Sequence, residues 1–169
     1  MLAKRIQRFI DLITDVLGRV LSWLTVGKVL VMVSIVILRY AFSYGNISLQ
    51  ESIMYLNAIM FTFGAAYTLK QQGHVRVDVF YGRLSSRHQA MVDITGILVF
   101  LYPSMLFIIY LSWDYVALSW RVREASAETS GLPLVYLLKT CIVLMPAMLI
   151  WQGTAELLRN IHRLQSSKP

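Results

Sequence analysis

The sequence predicts an all-α membrane protein with four transmembrane helices and an N-terminal amphipathic helix at the membrane surface. Of its 169 residues, 57% are hydrophobic and only 15% are charged, whereas soluble domains carry about 25% charged residues. The mean hydropathy is positive, at +0.59. Four apolar runs are each long enough to cross a bilayer, which takes about 20 residues of α-helix. We expect residues 1–169 to form a single membrane domain.

Residues 1–18 are predicted to form the interfacial helix. Apolar side chains recur there at helical spacing, and basic and acidic side chains occupy the other positions. A helix of this kind can lie along the membrane with its arginines among the lipid headgroups. The alternative is that this segment simply extends the first spanning helix toward the N-terminus.

The four spans are predicted at about residues 20–42, 49–70, 89–113 and 132–158. Pro103 and Pro146 fall inside the third and fourth of them. Each proline removes a backbone donor and crowds the preceding turn, so we expect it to kink its helix. Pro133 stands where the fourth helix would begin, a position that tolerates proline well.

Basic residues predict how the chain threads the membrane. Lysine and arginine concentrate in the N-terminal segment, in the second loop and in the C-terminal tail, whereas residues 43–48 carry no charge. Those three regions share one side of the membrane if the chain crosses four times. The positive-inside rule then places both termini in the cytoplasm. The net charge of +7 therefore indicates contact with membrane lipids rather than with nucleic acid.

Several charged residues lie within the predicted spans, where an unpaired charge is costly. Arg39 and Glu51 are separated by a short uncharged turn, so we expect an ion pair, either within the chain or through a partner subunit. The alternative is that both reach outer water independently. Lys28 would reach the inner headgroups or a partner, and Lys139 would extend outward. Near the inner boundary, acids would be hydrated or paired with nearby arginines (Asp93 and Glu156 with Arg83, Arg87 or Arg159).

The sequence contains none of the motifs that would indicate an enzyme. It has no Gly-rich phosphate loop, no HExxH and no GxSxG. Its three histidines fall in loops or at helix ends, which disfavours a haem protein, since axial ligands would lie within the helices. Cys141 stands alone in an apolar run and predicts neither a disulfide nor a metal site. We therefore expect a non-catalytic subunit without a cofactor.

Three segments carry a family resemblance: "ILRYAFSYGNISLQESIMYL", "GAAYTLKQQGHVRVDVFYGRLSSR" and "SAETSGLPLVYLLKTCIVL". Their order resembles the small membrane subunit (Q-type) of tripartite ATP-independent periplasmic (TRAP) transporters. The His-Val-Arg-Val-Asp piece is the strongest single element. The resemblance covers essentially the whole chain from about residue 16.

The resemblance implies a scaffold subunit in the bacterial inner membrane. The large TRAP membrane subunit would hold the substrate and sodium sites and move like an elevator, and a periplasmic substrate-binding protein would deliver an organic acid for sodium-coupled symport. The residues carried over by position are structural or partner-interface candidates, at the outer end Arg39, Tyr40 and Glu51 and at the inner end His74, Arg76 and Asp78. Two alternatives remain, a membrane anchor subunit of a redox enzyme complex and a general assembly factor or small receptor.

Overall fold

The computed structural model describes residues 2–73 and 81–166, and every regular element in those ranges is helical. Among these described residues, four helices are long and apolar enough to cross a membrane, which confirms the predicted all-α class and the four predicted transmembrane helices. The elements are α1 (Leu2–Ala41), α2 (Ile47–Lys70), α3 (Ser86–Thr95), α4 (Tyr102–Val122) and α5 (Val135–Ser166). A π-helical segment, Gly96–Leu101, joins α3 to α4, so that these three elements form one span.

Helix α1 continues without a break through the region predicted to be a separate interfacial helix. It contains 40 residues, which at 1.5 Å per residue makes it about 60 Å long, twice the hydrocarbon thickness of a bilayer. An independent interfacial helix is therefore not confirmed. Ile10 and Thr14, on the amphipathic segment, are buried, and Thr14 bonds a side chain of α5. Packing between helices accounts for this part of the amphipathic pattern.

The third span is longer than its apolar run. It begins at Ser86 and ends at Val122, whereas the hydropathy predicted residues 89–113. Arg123 follows in the left-handed conformation, with φ of 46°, and its N–H bonds back to the carbonyls of Ser119 and Trp120. A helix ends where its last carbonyls find such partners, and this point need not coincide with the end of an apolar run. Pro103 is the second residue of α4, directly after the π-helical segment.

Helix α5 occupies the centre of the bundle and packs against α1, α2, α3 and α4, while α1 also packs against α2. Few apolar side chains are buried by these contacts. In the most apolar part of each span, only 6–17% of the residues are buried inside the chain. Most of the apolar surface therefore faces outward, toward lipid or partner proteins.

The described parts of both chain ends lie at the same end of the bundle. Thr14 of α1 donates a hydrogen bond of 2.8 Å to Gln152 of α5, and Asp11 pairs with Arg159. We call this the terminal end, formed by the first half of α1, the last turns of α2, α3 and the last turns of α5. The opposite loop end carries residues 42–46 and 123–134. A chain whose two ends lie at the same end of the bundle crosses the bundle an even number of times, which agrees with the four predicted spans.

Candidate functional site

The terminal end is held together by an ion-paired cluster centred on Arg159. Its guanidinium donates to both carboxylate oxygens of Asp11, at 3.1 and 3.2 Å, and to Glu156 at 2.5 Å. Glu156 is only 5% exposed, so the arginine provides the counter-charge that a buried carboxylate requires. The predicted pairing of Glu156 with Arg159 is confirmed. Asp11 joins α1 to this pair, and the sequence analysis did not predict its role.

The same cluster extends to α2. Lys70 forms a 2.5 Å ion pair with Asp15 and donates a 2.8 Å hydrogen bond to the backbone carbonyl of Asp11. Gln152, which is fully buried, accepts from Thr14 and donates to Asp11 at 3.4 Å. Three helices are thus joined by side chains whose polar groups satisfy one another, an arrangement that makes a specific and rigid packing.

At the loop end, the carboxylate of Glu51 holds an irregular segment of chain. One oxygen accepts a hydrogen bond from the Ser126 hydroxyl, and the other accepts from the backbone N–H of Leu132 at 2.6 Å. The predicted pair with Arg39 does not form within the chain, because Glu51 faces the 123–134 loop while Arg39 is exposed. Tyr40 is 83% exposed. Glu51 is thus engaged internally, and Arg39 and Tyr40 remain accessible to a partner.

A second carboxylate of the loop end, Glu124, lies 2.5 Å from the Lys139 ammonium. The same ammonium sits 3.9 Å from the centre of the Tyr115 ring, a cation–π contact. Lys139 thus extends toward the loop end, where Glu124 of the loop and Tyr115 of α4 are its partners. The hydrogen bond from Lys139 lowers the pKa of Glu124 below its usual value.

Lys28 lies near the middle of the apolar stretch of α1. It is nine positions from Arg19 and eleven from Arg39, which is about 14 and 17 Å along the helix. Its ammonium donates a 3.0 Å hydrogen bond to the Asn57 side chain of α2, so it does not extend to the headgroups. Asn57 was missed by the sequence analysis, although a lone amide inside an apolar run is a signal of this kind.

A groove of about 370 Å³ opens beside Lys28 on the α1–α2 face. We call it the Lys28 groove, and it is lined by Lys28, Asn57, Met60, Phe61, Gly64, Ala65 and Thr68. Phe61 is 74% exposed. A Cβ placed on Gly64 would meet only Leu21, at 3.9 Å, which is an ordinary contact. Packing within the chain therefore does not require glycine there, and the small residues leave space for another helix to approach closely.

Of the remaining residues singled out in the sequence, three are not described and one, Asp93, lies beside a cavity. His74, Arg76 and Asp78 fall outside the described residues. Asp93 accepts a 2.8 Å hydrogen bond from the Tyr81 hydroxyl, beside a cavity of about 450 Å³ between α2, α3 and α5. Within residues 2–73 and 81–166 there is no group of three or more histidine, cysteine, aspartate or glutamate side chains that could hold a metal ion.

Comparison with known families identifies the class of the protein. Residues 28–163 match the family described as tripartite ATP-independent periplasmic transporters, DctQ component. The chain belongs to this family. The DctQ component is the small TRAP transporter component and not an enzyme, as the resemblance implied. No curated protein and no solved structure matches the chain. In a DctQ component, the accessible residues of the loop end and the Lys28 groove are candidate surfaces for partner subunits.

Proposed function

We propose that this DctQ component is the static scaffold subunit of a sodium-coupled TRAP transporter that imports an organic acid, and that it supports a large elevator-type subunit. The family match over residues 28–163 is the observation that carries this proposal. It implies the other two parts of a tripartite system, a large membrane subunit and a periplasmic binding protein. The organic acid substrate is inferred from the resemblance of the "LQES" segment to one branch of the family.

The scaffold role is supported by the way the terminal end is joined. A support for a moving subunit must keep its own helices in fixed positions. Asp11, Lys70 and Arg159 connect α1, α2 and α5 through ion pairs and hydrogen bonds. Because separating these helices would leave poorly hydrated charges without partners, the cluster opposes relative movement of the three helices.

We assign the contact with the large subunit to the Lys28 groove. An ammonium has three donors, and Asn57 accepts one of them. The others need acceptors near the middle of the span, where lipid tails supply none. A helix of the large subunit that offers a carboxylate or free backbone carbonyls would satisfy Lys28 and could lie close to Gly64 and Ala65.

The loop end is the proposed outer contact. Arg39 and Tyr40 are exposed there, and residues 43–50 would adjoin the partner subunits at the periplasmic face. The inner contact, assigned to His74, Arg76 and Asp78, rests on the family resemblance alone. The clustering of lysine and arginine at the terminal end and in the second loop supports an inner-membrane location with both termini in the cytoplasm.

Site-specific photo-crosslinking in the co-expressed complex tests this assignment. A benzoylphenylalanine at Phe61, in the groove, is compared with one at Phe107, which is 61% exposed on α4 and lies outside the groove. We expect a crosslink to the large subunit from position 61 and little from position 107. Deletion of the chain should also abolish uptake. A chain that purifies without a large subunit and shows a haem absorbance band would instead support a redox-complex anchor.

A further inference from the structure

We propose that the terminal end contains a binding site for the phosphate of an anionic phospholipid headgroup, formed by Lys4, Arg8 and Arg163. This site lies outside the Lys28 groove and does not depend on the transport role. It is formed by side chains of two helices that meet only in the folded chain. Its ligand class follows from its charge, its depth and the apolar surface beside it.

The site is a cavity of about 400 Å³ between α1 and α5. Lys4, Gln7 and Arg8 line it from α1, and Arg159, His162 and Arg163 line it from α5. Each set occupies positions i, i+3 and i+4, which form one face of a helix. Because the two helices run in opposite directions here, the two faces meet and bring four basic side chains and one histidine around a single space.

Three of the four basic side chains are available to an external anion. Arg159 already forms ion pairs with Asp11 and Glu156. Lys70, which does not line this cavity, is paired with Asp15. Within the described ranges 2–73 and 81–166, Lys4, Arg8 and Arg163 form no salt bridge with an acidic side chain, although Arg163 interacts electrostatically with Glu156. The cavity thus carries positive charge that salt bridges among the described residues do not neutralise. His162 donates its Nδ1–H to the Leu158 carbonyl, so this hydrogen goes to the backbone and not to the cavity.

The depth of the cavity matches the headgroup layer. The Asp15–Lys70 ion pair marks the end of the apolar run of α2. Arg8 is seven positions beyond Asp15, or about 10 Å along α1, and headgroups extend roughly 5–8 Å beyond the hydrocarbon on each side. A long arginine side chain spans the small remaining distance. Arg8 is therefore placed within reach of the lipid phosphates, and Lys4, one turn further along α1, lies on the aqueous side of it.

The neighbouring surface favours a lipid over a soluble anion. Phe9 is 58% exposed and Ile6 is 42% exposed, and Phe9 makes an edge contact with Trp151, at 6.4 Å between ring centres. A second cavity, of about 530 Å³, lies along these apolar side chains. Aromatic and aliphatic side chains exposed beside basic ones are typical of segments that sit among headgroups and the first acyl carbons.

Lipid binding by the purified full-length chain tests the proposal. Binding of short-chain phosphatidylglycerol and phosphatidylcholine is measured by native mass spectrometry, with glycerol phosphate as a soluble competitor. We expect phosphatidylglycerol to bind more tightly than phosphatidylcholine. Each basic charge removed should weaken phosphatidylglycerol binding about fivefold, so the double variant Arg8→Gln/Arg163→Gln should weaken it about 25-fold.

The matched control is Arg121→Gln/Arg123→Gln, which removes the same charge from exposed positions at the loop end. It should change binding less than twofold. Equal losses in the two double variants, or no preference for phosphatidylglycerol, would overturn the proposal. Competition by glycerol phosphate at the lipid's own concentration would also overturn it in favour of a free-anion site. If the double variant fails to fold, Lys4→Gln alone should still show the fivefold loss, and an unchanged affinity would overturn the site.

Discussion

At the terminal end, Arg159 joins α5 to α1 through Asp11, whereas at the loop end Glu51 joins α2 to a segment without helical structure. The first arrangement connects helix to helix, with Thr14 and Gln152 fully buried between them. The second connects a helix to residues 123–134. A change at the loop end can therefore rearrange a loop while the helices stay packed, but a change at the terminal end acts on the bundle itself.

The two ends also differ in how far water can replace the partner of a charged side chain when that partner is removed. At the terminal end, Glu156 is almost completely buried, and removal of its partner leaves a charge without water. At the loop end, the side chains of Glu124 and Lys139 are 35% and 15% exposed, so water can partly replace a missing partner. This contrast orders the predictions that follow.

The largest effect is expected for Arg159→Met. It leaves Asp11 and Glu156 without their common counter-charge, and the free energy of unfolding should fall by roughly 3 kcal/mol. Unfolding in mixed micelles, followed by circular dichroism, measures this change. The control is Arg163→Met, which removes an exposed arginine of the same helix and should cost well under 1 kcal/mol. A similar loss in both variants would show that the cluster has no special role.

The next effect concerns the α1–α2 contact at the terminal end. A Cβ on Gly18 would lie 3.1 Å from Cγ of the Tyr67 ring and still nearer two other ring atoms. Gly18→Ala should therefore reduce stability by about 1–3 kcal/mol through overpacking. At Gly64 the neighbouring space is open, so Gly64→Ala should leave the isolated chain as stable as before or slightly more so. Thermal unfolding of both variants checks the sign, and equal destabilisation would contradict the contrast.

A smaller effect is expected for Glu51→Gln. The substitution replaces a charged acceptor of two hydrogen bonds with a neutral one, which should weaken the attachment of the loop to α2. Because the contact joins a loop, the change should appear first as faster proteolysis within residues 123–134. Glu128→Gln serves as the control, since Glu128 is exposed in the same loop. Unaltered cleavage in Glu51→Gln would show that its carboxylate does not hold the loop.

The smallest effect is a pH dependence of the Glu124–Lys139 contact. Hydrogen bonding from Lys139 lowers the pKa of Glu124 in the folded chain. Its contribution to stability is therefore complete above the ordinary pKa of the carboxyl and is lost as the pH falls through the lowered value. Lys139→Met should remove this part of the acid dependence of unfolding. An identical pH profile in the variant would exclude the contact as its source.

Hydropathy alone predicted the four spans, because lipid requires long runs of apolar side chains whatever their partners are. Hydropathy did not predict that the helix of the third span continues to Val122, because its end depends on the backbone conformation of Arg123. The interfacial helix predicted for residues 1–18 is not confirmed, because α1 runs through the described part of that region without a break. An amphipathic pattern has the same period whether its polar face meets headgroups or the side chains of another helix.

The partners of the charged side chains were harder to predict than the positions of the transmembrane helices. Arg159 and Glu156 are three residues apart on one helix, so their contact follows from helical spacing. The contacts of Asp11 with Arg159 and of Lys28 with Asn57 depend on which helix faces come together, and spacing along the chain contains no information on this. Glu51 was singled out correctly, but its partners come from a loop whose path could not be derived from composition.

The length of α1 has a mechanical consequence. A single rod of about 60 Å transmits any tilt from one end to the other, and a tilt of about 10° displaces its far end by about 10 Å. A force on the Ala41 end of α1 would thus displace the Leu2 end, unless contacts with other helices fixed α1 between its two ends. The ion pairs of Asp11 with α5 and of Asp15 with α2 fix α1 at this point, so that it cannot tilt independently of the neighbouring helices.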